Sequence, residues 1–290
     1  MNVARSPGEL ETRSRAVAVG TFDGVHLGHR RVLAAAVDQG PALTPTVVSF
    51  WPHPRIVLGN EVGLVTTLER RLELLADAGI AETLVVEFTP EVAQMAPDAF
   101  ADEVLRPIGT ELVVAGTDFR FGRGRAGDLD TLERLGLAVE RVVLVAEVSS
   151  TAIRGLLREG DVAGAAHLLG RPAEVEGTVV SGDARGGTLG YPTANLQVEP
   201  DLLVPAFGIY AGWAAGHRAA VSIGTNPHYG GRERRVEAFL LDFEGDLYGE
   251  RIVIELWQRL REEQVFGSER ELIDQIGLDV EAARAAERPV

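Results

Sequence analysis

Ala16-Val-Ala-Val-Gly-Thr-Phe-Asp-Gly-Val-His-Leu-Gly-His29 is the segment from which the chain's architecture follows. Ala16–Val19 is an unbroken apolar β-type run, Gly20 closes it, and a helical pattern runs from about His26 to Gln39. A buried strand that passes through a glycine-bearing turn into a helix is the opening unit of an open parallel sheet. Ligands collect at the carboxyl ends of such strands, where helix N-termini offer free amides to phosphate. Gly20 and Gly24 let the backbone turn and approach a ligand closely. His26 and His29 stand three apart and so share one helix face. Two other readings compete. One histidine could cap the helix while the other packs. Alternatively the pair could hold a metal, although His-x-x-His supplies two ligands and no glutamate follows as in zinc hydrolases.

Outward from this segment the first half keeps alternating. Thr46–Phe50, Leu84–Phe88, Leu112–Ala115 and Val142–Val145 read as further buried strands. Between them, Thr66-Thr-Leu-Glu69 reads as a capping box opening a helix that carries Leu68, Leu72 and Leu75 on one face and stops at Gly79. Pro97-Asp98 opens another helix through Leu105, and two helical pieces follow at Ala152–Glu159 and Val162–Leu169. Strand–helix alternation with apolar strands predicts a Rossmann-like α/β domain with a parallel sheet covered on both faces. The texture changes after Arg171-Pro172. Short alternating strands at Val175–Val180, Gly208–Ala215, Arg218–Ile223, Val236–Asp242 and Arg251–Leu256 predict an antiparallel barrel or sandwich. A terminal helix starts at Ser268, with Glu271 completing a second capping box. The domains are therefore expected at 1–171 and 172–290.

Composition narrows the chemistry. The 290 residues hold 43 acids against 28 bases, a net charge of −15, which argues against nucleic acid or an anionic membrane surface as partner. Cysteine is absent, excluding disulfides, thiolate catalysis and cysteine metal sites. Lysine is absent too, so every basic residue in that count is arginine, and no Schiff base or Walker-type lysine can exist. Phosphate handling must rest on arginine, histidine, backbone amides or a metal. No apolar run is long enough to cross a membrane as a helix, and Met1–Arg15 lacks the apolar centre of a signal peptide. A cytoplasmic protein is expected, with a homo-oligomer left open.

Four further motifs join the first one. Phe50-Trp-Pro-His-Pro54 on its own would be a rigid turn, and Ser149-Ser-Thr-Ala-Ile-Arg154 a helix cap. Gly116-Thr-Asp-Phe-Arg-Phe-Gly122 and the long run Gly177–Asn195, ending Tyr-Pro-Thr-Ala-Asn, complete the set. Together, and in their order along the chain, they resemble the bacterial bifunctional riboflavin kinase/FAD synthetases. His26-Leu-Gly-His29 is similar to the His-x-Gly-His signature of nucleotidyltransferases. The resemblance runs from about Ala16 to Asp279.

That resemblance implies two activities, each using Mg-ATP: riboflavin to FMN in the second domain, and FMN to FAD with release of pyrophosphate in the first. Gly20, Phe22, Asp23, Gly24, His53, Asp118, Phe119, Ser149, Ser150, Thr151 and Arg154 would bind nucleotide or flavin, while His26 and His29 donate to phosphate oxygens. Phe119 and Phe121 have a rival reading as plain core. In the second domain Thr193 and Asn195 would hold Mg2+ with the phosphates. Gly182, Gly190, Pro192 and Asn226 would shape the site, and Glu237 would take the proton of the ribityl hydroxyl. Without the resemblance Glu237 reads as a strand glutamate facing water. Departures from the pattern are His228-Tyr229, Glu250, Val265 and a short approach to Ser149. The rival functions are a riboflavin kinase with an impaired adenylylation site, and a flavin or nucleotide carrier without turnover.

Overall fold

The computed structural model describes residues 1–143, 147–181, 191–225 and 234–289. Two compact units emerge, and each is taken by itself.

The first unit, Met1–Val62 with Thr66–Ser149, is built on a sheet of parallel strands. They are Asn2–Ala4 (β1), Arg15–Val19 (β2), Thr44–Trp51 (β3), Glu82–Glu87 (β4), Thr110–Gly116 (β5) and Ala138–Val142 (β6), in the order β1-β4-β3-β2-β5-β6. The chain steps to β3 on one side of β2 and to β5 on the other, so the topological switch lies where β2 ends. The apolar runs have a simple cause: both faces are covered. Val17, Val19, Val48, Leu84 and Val113 pack with Phe100–Leu105, Leu129 and Leu132. Ala16, Ala18, Val47 and Val114 pack on the other face with Val32, Leu33, Leu74 and Leu75. Those last residues come from helices Leu27–Val37 (α1) and, beyond the short helix Pro54–Val57 (α2), Leu68–Asp77 (α3).

Three expectations are corrected. The cap of α3 is Thr67, whose hydroxyl accepts from Arg70 N at 3.1 Å, because the Thr66 side chain is committed elsewhere. The buried face of α3 is Arg71, Leu74 and Leu75, leaving Leu68 and Leu72 half-buried. The last strand is Ala138–Val142 rather than Val142–Val145; it is a half-exposed edge strand, and Leu144–Ala146 lie outside the described residues.

The second unit, Ser150–Val290 with Gly63–Val65, holds a closed antiparallel barrel. Its strands are Ala173–Val180 (β7), Ala194–Gln197 (β8), Gly208–Ala214 (β9), His217–Thr225 (β10), Arg234–Leu240 (β11) and Arg251–Arg261 (β12), in the order β10-β11-β8-β7-β12-β9 with β9 closing on β10. Strand β8 begins in the last two residues of the Gly177–Asn195 run. Alternate residues such as Leu196, Val221, Ile223, Val236, Ala238 and Ile254 fill the interior. Helices Ser150–Glu159 and Val162–Leu169 pack Ile153, Leu157, Val162 and Leu169 into the same core. That packing sets the compact-unit division at Ser149/Ser150, ahead of the change in sequence texture near residue 172. The terminal helix Glu269–Ala285 lies on the outer face, with Ala283 and Ala286 against Ala211 and Trp257. Ser268 caps it, accepting from Glu271 N at 3.3 Å. Arg261 grips Asp279 with Nε and Nη2 at 2.9 and 2.7 Å and ties the end of β12 to this helix.

Candidate active sites

Because all strands of the sheet are parallel, their carboxyl ends share one edge. Gly20–His29 after β2, His53 after β3, and Asp118 and Phe119 after β5 therefore gather there. The turn after β2 is strained: Phe22, Gly24 and Val25 all have positive φ, of 51°, 85° and 39°. A β-branched residue such as Val25 rarely adopts that conformation, so the surroundings must hold it. Phe22 and Val25 are buried in the core beneath. Between them Asp23, fully buried, turns its carboxylate inward: Oδ1 accepts from Thr66 N at 3.0 Å, from Thr66 Oγ1 at 3.2 Å and from Arg71 Nη2 at 3.3 Å. Thr66 Oγ1 also accepts from Gly24 N at 3.1 Å. Asp23 thus anchors the turn from below. The sequence pattern carried no signal for Thr66 or Arg71, since both sit in a helix-start motif of ordinary composition.

The turn delivers His26 to the N-cap of α1. Its Nδ1 accepts from His29 N at 3.2 Å, and the two rings stack with centroids 3.6 Å apart. Phe22 meets His29 edge-on at 5.2 Å. An Nδ1 that accepts a backbone N–H leaves the proton of the neutral ring on Nε2. His53 is built alike: it caps α2, with Nδ1 accepting from Arg55 N at 3.2 Å. Asp118 is exposed, whereas Phe119 is half-buried and stacks on buried Phe121 at 5.5 Å, so the core reading holds for Phe121. In the second unit Ser150 and Thr151 open the helix Ser150–Glu159, and buried Arg154 donates Nε to Gly63 O at 2.7 Å.

On the barrel, Val236 and Ala238 point inward, so Glu237 points outward, as strand alternation requires. It does not face open water. Its side chain is 29% exposed; Oε1 accepts from Arg235 Nη1 at 3.1 Å and Oε2 from Thr193 Oγ1 at 3.5 Å. Asn195 pairs with Glu237 across β8 and β11, and its Nδ2 donates to Thr193 O at 3.5 Å. Asn195 Oδ1 is buried without a hydrogen-bond partner. Beside this cluster opens a cavity of about 170 Å³ lined by Pro192, Thr193, Val179, Leu240, Phe243 and Tyr248, among others. Gly182, Gly190, Asn226, His228 and Tyr229 lie outside the described residues.

A parallel sheet that ends in a histidine-headed helix, joined to a barrel bearing a Thr/Asn/Glu oxygen cluster, defines a two-module phosphate-transferring enzyme. The FAD synthetase family model matches residues 9–154, and the riboflavin kinase model matches residues 169–287. The chain belongs to the bifunctional riboflavin kinase/FMN adenylyltransferase family. Its relative of that name from Listeria monocytogenes is 36% identical, over 94% of this chain and 92% of the relative. The Bacillus subtilis enzyme is 34% identical, over 94% and 92%. A solved structure from Streptococcus pneumoniae, described as a macrolide-efflux protein, aligns with a TM-score of 0.87 at 30% identity, covering 98% of each chain. The efflux description belongs to that relative. Among the described residues here, no helix is long and apolar enough to cross a membrane. Two matched modules favour the bifunctional reading over a single activity or a carrier.

Proposed function

We propose that this chain makes FMN from riboflavin in its barrel module (172–290) and FAD from FMN in its parallel-sheet module (1–171), consuming ATP in both steps. The observation that carries the reading is the outward-facing cluster of Thr193, Asn195 and Glu237, with the orphaned Asn195 oxygen at its centre. A buried acceptor without a donor is costly unless something fills the gap. A hydroxyl and an amide oxygen are hard donors of the kind Mg2+ takes, so Thr193 and Asn195 fit a Mg2+ site. When bound there, Mg2+ would offset the charge of the ATP phosphates. The cavity beside Thr193, where Leu240 and Phe243 meet Asp246 and Tyr248, suits the adenine, and Asn226, Gly182, Gly190 and Pro192 are assigned to the site by motif.

Glu237 takes the proton from the ribityl hydroxyl as that oxygen attacks the γ-phosphorus and ADP leaves. In the other module an FMN phosphate oxygen attacks the α-phosphorus of ATP and pyrophosphate leaves. That nucleophile is already anionic, so the site needs donors and positioning rather than a base. His26, with its proton on Nε2, and His29 supply donors at the amide-rich start of α1. Gly20, Phe22 and Gly24 shape the turn, and Asp23 holds it. His53, Asp118, Phe119, Ser149, Ser150, Thr151 and Arg154 are assigned to nucleotide or flavin by motif. The small-molecule substrates, the net charge of −15 and the motif set fit a cytoplasmic enzyme that binds neither nucleic acid nor membrane.

Two variants test the division of labour. Glu237→Gln lowers FMN formation by about 100-fold or more and leaves FAD formation from supplied FMN intact; His29→Ala lowers FAD formation and leaves FMN formation intact. Folded variants that each lose both activities would refute the separate sites.

A further inference from the structure

We propose that Arg235 is the positioning residue for Glu237 in riboflavin phosphorylation, an inference that rests on the reading of Glu237 as the base. The two stand two apart on β11 and so share the outer face of the barrel. Arg235 Nη1 reaches Glu237 Oε1 at 3.1 Å, and the side chains are 27% and 29% exposed, covered enough to blunt solvent screening. The cross-strand neighbour of Arg235 on β10 is Gly224, so no β10 side chain takes its place at that position.

The two carboxylate oxygens then have separate tasks. Oε1 is tied to the guanidinium. Oε2 is turned toward Thr193, at 3.5 Å, and toward the cluster that would hold the phosphates. The Thr193 contact is long, so the shorter, charge-assisted bond from Arg235 is the firmer constraint on the glutamate side chain. A glutamate on a strand has three rotatable bonds, and a base must meet its proton at hydrogen-bond distance. Holding one oxygen removes most of that freedom while leaving the other free to accept. Misplacing a catalytic group by about 1 Å can cost about 100-fold, so a guanidinium that restrains the base acts on turnover more than on binding. In sequence Arg235 opens the run Arg235–Asp242 that carries Glu237, and nothing there announces the contact between the two.

The test measures riboflavin phosphorylation by the full chain carrying Arg235→Gln, Arg235→Lys, Glu237→Gln, or Arg235→Gln with Glu237→Gln. Thermal unfolding and FAD formation from supplied FMN are followed alongside. Arg235→Gln is expected to lower kcat about 5- to 30-fold, with KM for riboflavin and for Mg-ATP changed by less than about twofold. Arg235→Lys restores part of kcat, and neither variant alters the melting temperature or the adenylylation rate. Adding Arg235→Gln to Glu237→Gln costs nothing further, because the arginine acts through the glutamate. An unchanged or raised kcat in Arg235→Gln, a loss carried by KM alone, or a full additive loss in the double variant would overturn the proposal. If Glu237→Gln itself kept its activity, the base reading would fall first; if Glu237→Gln is dead while Arg235→Gln is fully active, only the positioning role falls.

Discussion

Replacing Asp23 by asparagine keeps the shape of the side chain and removes its charge, and the structure sets what that costs. The Asp23 and Arg71 side chains are 1% and 0% exposed. Asparagine can still accept from Thr66 N through its carbonyl oxygen, but the guanidinium of Arg71 loses the carboxylate that neutralises it. Arg71 Nη2 also donates to the Thr66 carbonyl at 3.3 Å, and its guanidinium lies 5.5 Å from the Trp51 ring, both weaker interactions than one with a carboxylate. Removing the carboxylate from a buried ion pair costs about 3–5 kcal/mol, because the remaining charge loses that attraction where water cannot replace it. At about 2–4 °C per kcal/mol for a unit of roughly 150 residues, the sheet module should melt about 6–20 °C earlier. The same network fixes the strained turn at residues 22–25, so FAD formation from FMN should fall even at temperatures where the module stays folded. Calorimetry of the full chain, with both activities measured on the same sample, reads this out. Riboflavin phosphorylation is the internal control and stays unchanged. A melting shift under 2 °C with full adenylylation would refute the view that Asp23 and Arg71 hold the turn.

Other outcomes follow from single contacts. At Gly212 a Cβ would overlap the backbone carbonyl oxygen of Glu255 on β12, so Gly212→Ala should destabilise the barrel module by at least about 2 kcal/mol, read by denaturant unfolding of that module. Arg284 hydrogen-bonds Asp242 at 2.7 and 3.1 Å and holds the Asp242 carboxyl below the ordinary aspartate value. A depressed carboxylate contributes stability that is present above its unfolded pKa and lost as pH falls through the folded one. Wild type should therefore exceed Arg284→Gln in stability at neutral pH, and the gap should close only in acid, below about pH 4; a gap that persists there would contradict the assignment.

Local patterning exposed the strands of the sheet because both faces are buried, and the same runs would have misled had one face met water. Edge strand β6 shows the limit: Ala138–Val142 is half-exposed and carries Glu140 and Arg141, so the apolar run beyond it draws the expected strand too far. His26 and His29 were legible because strand, glycine turn and helix start are all written within fourteen consecutive residues. Asp23 was legible as important, but its role was not. Its partners Thr66 and Arg71 lie more than forty positions away, and only the fold brings them beneath the turn. The same holds for Arg235 beside Glu237, where alternation gives the shared face but not the 3.1 Å contact, and for Thr193 and Asn195, which needed β8 to pair with β11.

A time course of flavins, separated after incubating the 290-residue protein with riboflavin and Mg-ATP, decides whether both steps run in this chain. FMN is expected to appear first with FAD accumulating after it, and FMN supplied with Mg-ATP in place of riboflavin is expected to be converted to FAD. No new flavin, or FMN that never proceeds to FAD, would contradict that expectation.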